Sequence, residues 1–267
     1  MSRPEEQQMH RILRVVFIGG LFLAGMAVRD AMASCDAASG FEYRGTQIQR
    51  IPNSRAYFYV VTRMAIDADG APNAYHPQDK GIDALANAGY PNGSWKSILV
   101  PDPRNPSQPF VQTKGEFAGY FVSKTALQDL RLPETEVRRY VDSRQVPYIV
   151  FPGAFLNMTG TGNLGDIAAA LNLDNGKETS AIVADIGPRN APLGEVSIRL
   201  AENLGGTNVN PRSGAGMPRG RFAYFVFPRT KANPAWPVSS EQLQGRAQEL
   251  LAEIGGWERV KPCIPNR

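Results

Sequence analysis

The most informative segment of this chain is residues 181–205, AIVADIGPRNAPLGEVSIRLAENLG. An apolar segment ends in the carboxylate Asp185, and a Gly-Pro turn beginning at Gly187 follows it. A second extended piece opens at Glu195 and runs into a short helix that a Gly-Gly pair ends. Two acids thus stand at the ends of neighbouring segments, joined by a loop that can set them across a cleft. Two such carboxylates are the minimal machinery of glycoside hydrolysis.

The composition indicates a globular, β-rich chain and excludes several kinds of catalytic site. Of 267 residues, 42% are hydrophobic and 20% charged, and 26 Gly with 21 Pro indicate many turns and short elements. Two His and two Cys exclude a four-cysteine zinc site and leave little material for Cys-His or Ser-His-Asp catalysis. Carboxylates remain, with 25 Asp plus Glu. We therefore expect any hydrolysis to run on acids alone, with no cofactor and no metal.

The N-terminus has the pattern of a secretory signal peptide over residues 1–33. Arg11 and Arg14 precede an apolar run over residues 15–28, and residues 31–33 supply an Ala-x-Ala cleavage site. We predict a secreted or periplasmic protein with no stable membrane association after cleavage. An uncleaved N-terminal anchor is the alternative.

The two cysteines, Cys35 and Cys263, lie near opposite ends of the mature chain. An oxidising compartment favours a disulfide that ties these ends together. Lipid attachment at Cys35 is the competing hypothesis and excludes the disulfide. A net charge of +4, with no basic run longer than a pair, gives no support for nucleic-acid binding. We expect a monomer with one domain over residues 36–267.

Periodicity and turn signals predict mainly short strands. We expect strands over residues 56–66, 95–100, 117–123, 148–151, 178–185 and 221–227, helices over residues 166–172 and 240–254, and an extended piece turning into a short helix over residues 195–204. We expect residues 34–52 to form a loose lead-in, and residues 71–93 to form a long loop.

Residues 181–205 resemble the core motif of double-psi β-barrel proteins. In that motif a strand ending Asp-x-Gly-Pro is followed by a carboxylate, a small residue, Ser and a short Ala/Leu-rich helix. Asp185-Ile186-Gly187-Pro188 and Glu195-Val196-Ser197 fit this form. The resemblance implies a mainly β fold, a six-stranded double-psi β-barrel with long loops and a few short helices.

A closer resemblance is to the fungal-type chitosanases, glycoside hydrolase family 75. Residues 64–71, MAIDADGA, resemble the family's Asp-rich turn, and residues 146–151, VPYIVF, resemble its His-Pro-Tyr-Val-Val-Phe-like strand. Residues 184–198 resemble its Gly-Asp…Gly-Glu-Ala-Ser-Ile segment. The resemblance implies endo-acting, inverting cleavage of β-1,4 linkages in chitosan, with a polysaccharide as partner. It also implies that Asp185 and Glu195 are the catalytic pair; we assign Glu195 as general acid and Asp185 as base.

Two other functions stay open. Arg189 would place a positive charge near the site, which suits a carboxylate-bearing polymer such as murein better than chitosan. A murein lytic transglycosylase would need only one of the two acids, because it activates no water. A non-catalytic polysaccharide-binding barrel would need neither.

Four further residues are candidates for substrate binding. Asp67 and Asp69 would line the cleft and pair with glucosamine amines; an ordinary turn and a calcium-binding loop are the alternatives, although the glutamate that closes a calcium loop is absent. Tyr148 and Trp95 are candidate platforms for sugar rings, with core packing as the alternative for Tyr148.

Overall fold

The computed structural model describes residues 38–264, which lie within one compact unit. The predicted signal peptide (residues 1–33) and Cys35 lie outside the described residues, so the predictions made for them stay predictions. Among the described residues, no helix is long and apolar enough to cross a membrane.

The described chain is mainly β, as the sequence predicts. Its strands are β1 (Ala38–Tyr43), β2 (Thr46–Arg50), β3 (Tyr57–Val61), β4 (Ala65–Asp67), β5 (Pro101–Asp102), β6 (Asn105–Pro109), β7 (Tyr148–Pro152), β8 (Ile167–Asn172), β9 (Glu178–Gly187), β10 (Glu195–Ser197) and β11 (Phe222–Phe227). Its α-helices are α1 (Gly153–Leu156), α2 (Ile198–Asn203), α3 (Ser240–Glu253) and α4 (Gly256–Val260). Short 3₁₀ turns cover Trp95–Ser97, Val137–Arg139 and Lys261–Cys263.

Nine strands form one mixed sheet in the order β1-β2-β3-β11-β8-β9-β7-β10-β4, and β5 pairs with β6 separately. Most pairs are antiparallel, but β7 runs parallel to β9 and β10 runs parallel to β4. The loop from β9 to β10 therefore passes over the end of β7, which lies between them. This crossing brings the two acids of residues 181–205 to one region of the sheet.

Both faces of the central strands are buried. On β7, Ile149 and Phe151 join one apolar cluster, whereas Tyr148 and Val150 join the other. Helix α3 covers the second cluster with its own apolar face. A strand buried on both faces reads as a continuous apolar run, which is why the strand predictions at residues 148–151, 178–185 and 221–227 are confirmed.

The predicted helix over residues 166–172 is wrong, because Ile167–Asn172 is strand β8. Alanine favours helices in isolation. Here Ala168, Ala169 and Ala170 lie fully covered between β11 and β9, and the strand's backbone groups are paired on both sides. Tertiary pairing overrides the local preference.

The predicted loose lead-in over residues 34–52 is also wrong where the structure describes it. Strands β1 and β2 form a hairpin in which Tyr43 pairs with Thr46. The two connecting residues, Arg44 and Gly45, both have positive φ, at 48° and 79°. Such a two-residue turn matches the twist of a hairpin, although Arg at its first position hides the usual Asn-Gly signal.

Three further strand predictions need correction. Residues 95–100 begin as the 3₁₀ turn Trp95–Ser97, closed by the Ser97 amide donating to the Ser94 carbonyl. Residues 117–123 contribute only isolated bridges, through Phe121 and Ser123. The predicted strand over residues 56–66 is broken into β3 and β4, and this break lets β4 join β10 instead of continuing beside β11.

The predicted extended-then-helical piece over residues 195–204 is confirmed as β10 followed by α2. Ser197 ends the strand and caps the helix, because its Oγ accepts from the Leu200 amide. The same Oγ accepts from the Tyr148 amide and donates to the Val146 carbonyl. The predicted C-terminal helix is confirmed as α3, with Ser239 in a capping box.

Candidate active site

The sheet register places the two predicted catalytic acids level with each other on the two strands that flank β7. Val196 pairs with Ile149 in antiparallel fashion, which places Glu195 beside Val150. Val150 in turn pairs with Asp185. The two acids therefore flank one residue of β7, with roughly 10 Å between their backbones.

Asp185 is held where β9 bulges. The register slips by one residue between the Ile149 and Val150 pairings, so that Ala184 is the extra residue. The Oδ1 atom of Asp185 accepts from the Ala126 amide at 2.9 Å and from the Ile186 amide at 2.8 Å. The side chain is consequently fixed in place, and Asp185 is only 8% exposed.

Glu195 lies at the border between the buried acids and a groove. The groove, 470 Å³ in volume, runs between the β3–β4 connection and the loop before β10, and Arg63 and Glu195 are its charged lining residues. Burial, and after it the negative charge of Asp67, raise the pKa of Glu195 to about 8. A carboxyl with this pKa holds its proton at neutral pH beside an open groove.

Asp67 and Asp69 extend the row of acids through the turn after β4. Because β4 runs parallel to β10, Asp67 pairs with Ser197. Its Oδ1 accepts from the Asp69 amide at 2.8 Å, and its Oδ2 accepts from the Tyr148 hydroxyl at 3.0 Å. Gly70 completes the turn with a φ of +75° and lies so close to the Val141 carbonyl that a side chain has no room.

A second group of polar side chains holds Asp69 from the loops. Its Oδ1 accepts from the Tyr75 hydroxyl at 2.9 Å and from the Ser123 hydroxyl at 3.0 Å. The Tyr75 hydroxyl also lies 3.3 Å from Oδ2 of the buried Asp83. Sequence reasoning missed Tyr75, Ser123 and Asp83. Since Ser123 lies 54 residues from Asp69, no local pattern could have identified it.

Burial and mutual repulsion shift the pKa values of these carboxyls upward. Desolvation is the largest cause for each of Asp67, Asp69 and Asp185. The pKa of Asp67 rises to about 6, the least of the three, because hydrogen bonds favour its charged form. The negative charge of Asp67 is the next cause that raises the pKa of Asp69 and of Asp185. The cluster thus holds protons at neutral pH that ordinary carboxyls release.

One carboxylate oxygen from each of Asp67, Asp69 and Asp185 lies within 4.8 Å of the other two. This spacing is compatible with a divalent cation, which takes oxygen ligands. However, both oxygens of Asp67 and one oxygen each of Asp69 and Asp185 already accept hydrogen bonds from the protein. Protein donors therefore already occupy much of the binding capacity of these oxygens, and we assign no metal to the cluster.

The four predicted substrate-binding residues are all buried in the structure. Tyr148 is fully buried, and its hydroxyl contacts Asp67 and the Asp69 carbonyl. Trp95 is 6% exposed and packs its ring against Tyr90. These two rings have no open face in the described structure, and the two aspartates are buried as well. Their predicted contact with substrate stays a prediction, and the structure gives each of them a packing or hydrogen-bonding role.

Two other residues discussed from the sequence lie at the surface or the chain end. Arg189 is exposed in the loop between β9 and β10, and its carbonyl accepts from the Ala154 amide at 2.8 Å. Cys263 is buried in the 3₁₀ turn Lys261–Cys263. Its predicted partner Cys35 lies outside the described residues, so the disulfide stays a prediction.

Comparison of this chain with protein-family models and with curated protein sequences found no match.

Proposed function

We propose that this protein is a secreted endo-acting glycoside hydrolase that cleaves β-1,4 linkages of an amino-sugar polymer, chitosan first, by an inverting two-carboxylate mechanism. The sequence resemblance to family 75 chitosanases suggests the substrate. The arrangement of buried acids supports the chemistry.

One observation carries the proposal: Glu195 has a pKa raised to about 8 and is among the residues that line a groove. Glu195 and Asp185 lie on the strands that flank β7, on either side of Val150. A general acid must keep its proton at working pH and must reach the substrate. The raised pKa of Glu195 supports the first requirement, and its position among the residues that line the groove supports the second. Its proton would go to the glycosidic oxygen as the bond to the anomeric carbon breaks.

Asp185 is the proposed base. Two backbone amides hold one of its oxygens, no described donor reaches the other, and we propose that this second oxygen orients a water. In the inverting scheme this water attacks the anomeric carbon from the face opposite the leaving group, and Asp185 takes its proton. At the end of this step Asp185 holds a proton and Glu195 has lost one.

The test is reducing-end release from chitosan, partly acetylated chitosan and purified murein by the mature protein. Asp185→Asn and Glu195→Gln are compared with Glu178→Gln, which replaces an exposed acid on the same strand as Asp185. We expect chitosan cleavage to fall by about a thousandfold or more in the first two variants and to persist in the third.

Two outcomes would replace the proposal. Murein cleavage alone, sensitive to only one of the two acids, would indicate a lytic transglycosylase. No turnover of any polymer by the folded protein would indicate a binding protein.

We also propose that the sheet closes as a double-psi β-barrel. The support is the passage of the β9–β10 loop over β7 together with the parallel pairs β7–β9 and β4–β10. The described strands of the sheet end at β1 and β4, and among them β4 pairs only with β10. Closure therefore requires a crystal structure of the mature protein to show a further pairing at the outer edge of β4, and the proposal is wrong if that edge pairs with nothing.

A further inference from the structure

Two buried carboxyls on different strands, Asp67 of β4 and Asp185 of β9, differ in how their oxygens are occupied. Both oxygens of Asp67 accept hydrogen bonds, from the Asp69 amide and the Tyr148 hydroxyl. Among residues 38–264, the donors to Asp185 all reach Oδ1, which leaves Oδ2 without a donor. A carboxyl that holds a proton needs one oxygen free of donors, whereas a carboxylate accepts on both.

The two carboxyl groups are close neighbours. Oxygens of Asp67, Asp69 and Asp185 lie within 4.8 Å of one another, and all three residues are buried. Two adjacent carboxyls in a dry site cannot both ionise without a large repulsion, so they share a proton.

We propose, on the basis of the proposed function, that Asp67 carries the resting negative charge of the site, that Asp185 donates its proton to it, and that Asp67 is the positioning residue that frees Asp185 to act as base.

The pKa directions agree with this placement. Against the effect of burial, the bonds from the Asp69 amide and Tyr148 lower the pKa of Asp67, and so does its interaction with the Asp185 carboxyl. The charge of Asp67 in turn raises the pKa of Asp185. At neutral pH the charge therefore lies on Asp67, whose pKa of about 6 is below that of Glu195, about 8.

The groups that face Asp67 come from every neighbouring element. The loop after β4 supplies Asp69, Tyr75 and Asp83. The Tyr75 hydroxyl lies within hydrogen-bond distance of the carboxyl groups of Asp69 and Asp83. Strand β7 supplies Tyr148, β9 supplies Asp185, and the charge of Asp67 acts on Glu195 of β10. In the part of the chain that the structure describes, Asp67, Asp69, Asp185 and Glu195 form no ion pair with Lys or Arg. The negative charge of these carboxyls is therefore reduced by protons that they hold, and no described Lys or Arg pairs with it.

Each proton in the proposed reaction has a donor and an acceptor among these carboxyls, the water and the leaving oxygen. The proton of Asp185 moves to Asp67, which leaves Asp185 as a carboxylate and Asp67 neutral. Water attacks the anomeric carbon and gives its proton to Asp185, while Glu195 gives its proton to the leaving oxygen as the glycosidic bond breaks. The single negative charge has then moved from Asp67 to Glu195. Loss of the Asp67 proton to solvent and proton uptake by Glu195 restore the resting state.

The test compares the pH dependence of kcat for the wild type, Asp67→Asn, Tyr148→Phe and the control Tyr57→Phe. In Asp67→Asn we expect kcat to fall about 100-fold, with the acidic limb near pH 6 lost, because the residue can no longer accept the proton. Tyr148→Phe removes a donor to Asp67, so its acidic limb moves to higher pH. Tyr57→Phe also removes a buried hydroxyl, one that donates to the Thr161 carbonyl, and its limb stays in place.

An infrared titration of the carboxyl and carboxylate bands tests the charge placement without substrate. We expect a carboxyl that ionises near pH 6 in the wild type, absent in Asp67→Asn and shifted upward in Tyr148→Phe. A band unchanged in Asp67→Asn, or an acidic limb equally placed in Tyr148→Phe and Tyr57→Phe, would overturn the inference. If Asp67→Asn does not fold, the two tyrosine variants decide. If the wild type cleaves no polymer, the proposed function fails, and the infrared result still decides the charge placement.

Discussion

The carboxyl group of Glu195 lies directly against the backbone of Gly187. A Cβ at Gly187 would be 2.8 Å from Oε2 of Glu195 and 3.2 Å from a methyl carbon of Val150. Gly187 has no positive φ, so space is the constraint here and backbone strain is not. The glycine of the Asp-x-Gly-Pro turn therefore leaves the space that the carboxyl group of the proposed general acid occupies.

Gly187→Ala should displace the Glu195 carboxyl while the fold persists. The added methyl collides with the mobile end of a side chain, so Glu195 moves and the backbone does not. We expect polymer cleavage to fall roughly 10- to 100-fold, since a misplaced acid transfers its proton poorly. Reducing-end assays with the purified variant measure this.

Gly153→Ala is the matched control for that variant. It lies beside the same loop, but its added Cβ meets nothing closer than 3.5 Å, which is an ordinary contact. Similar losses of cleavage in the two variants would show that general disturbance of the loop, and not displacement of Glu195, lowers activity.

Stability should fall as the pH rises from about 4 to about 8. Burial raises the pKa of Asp67 to about 6 and that of Glu195 to about 8, so the folded state binds more protons than the unfolded chain in this window. Stability that rests on a raised carboxyl pKa is complete below the unfolded pKa and is lost through the folded pKa. Urea unfolding at several pH values measures the slope.

Glu195→Gln should remove part of that slope. We expect its free energy of unfolding to exceed that of the wild type by roughly 2–5 kcal/mol at pH 9. At pH 4 we expect the two free energies of unfolding to differ little. Glu178→Gln, an exposed position, should follow the wild-type curve throughout. A pH-independent difference between Glu195→Gln and the wild type would refute the raised pKa.

Asp166→Ala should destabilise the fold strongly. Asp166 is fully buried; its Oδ1 accepts from the Thr230 and Lys231 amides, and its Oδ2 accepts from the Asn163 amide. Removing the carboxylate leaves three backbone donors without this acceptor, at a cost of roughly 2–5 kcal/mol.

The comparison for Asp166→Ala is Asp174→Ala, at the exposed end of the same region, where the acid pairs with Arg221 at 3.4 Å. A surface pair of this kind contributes about 1 kcal/mol or less. Chemical unfolding distinguishes the two, and an equal cost would mean that the buried bonds of Asp166 add nothing.

The mature protein should contain a disulfide between Cys35 and Cys263. We expect no cysteine to be alkylated before reduction, two to be alkylated after it, and reduction to lower the free energy of unfolding. Intact-mass measurement decides between this and the lipid hypothesis. A lipid-sized mass increase at Cys35 would exclude the disulfide.

Several elements were predictable from the sequence because their signals are local. The apolar run over residues 148–151 identified β7, and the acid-Gly-Pro turn followed by a capped helix identified the ends of β9 and β10. The amphipathic spacing after Ser239 identified α3. In each case the residues that carry the pattern also make the element's own contacts, so the pattern and the structure coincide.

By itself, then, the sequence determined a mainly β chain, most of the central strands and the placement of Asp185 and Glu195 at the ends of adjoining segments. Only the tertiary structure decided that the alanines of β8 form a strand, since pairing with β9 and β11 outweighs their helix preference. It alone decided that Asp67 meets Tyr148, 81 residues away, and that these acids are buried together. Contacts between distant segments leave no local signal, and the desolvation that raises the pKa values of these acids exists only after the segments pack.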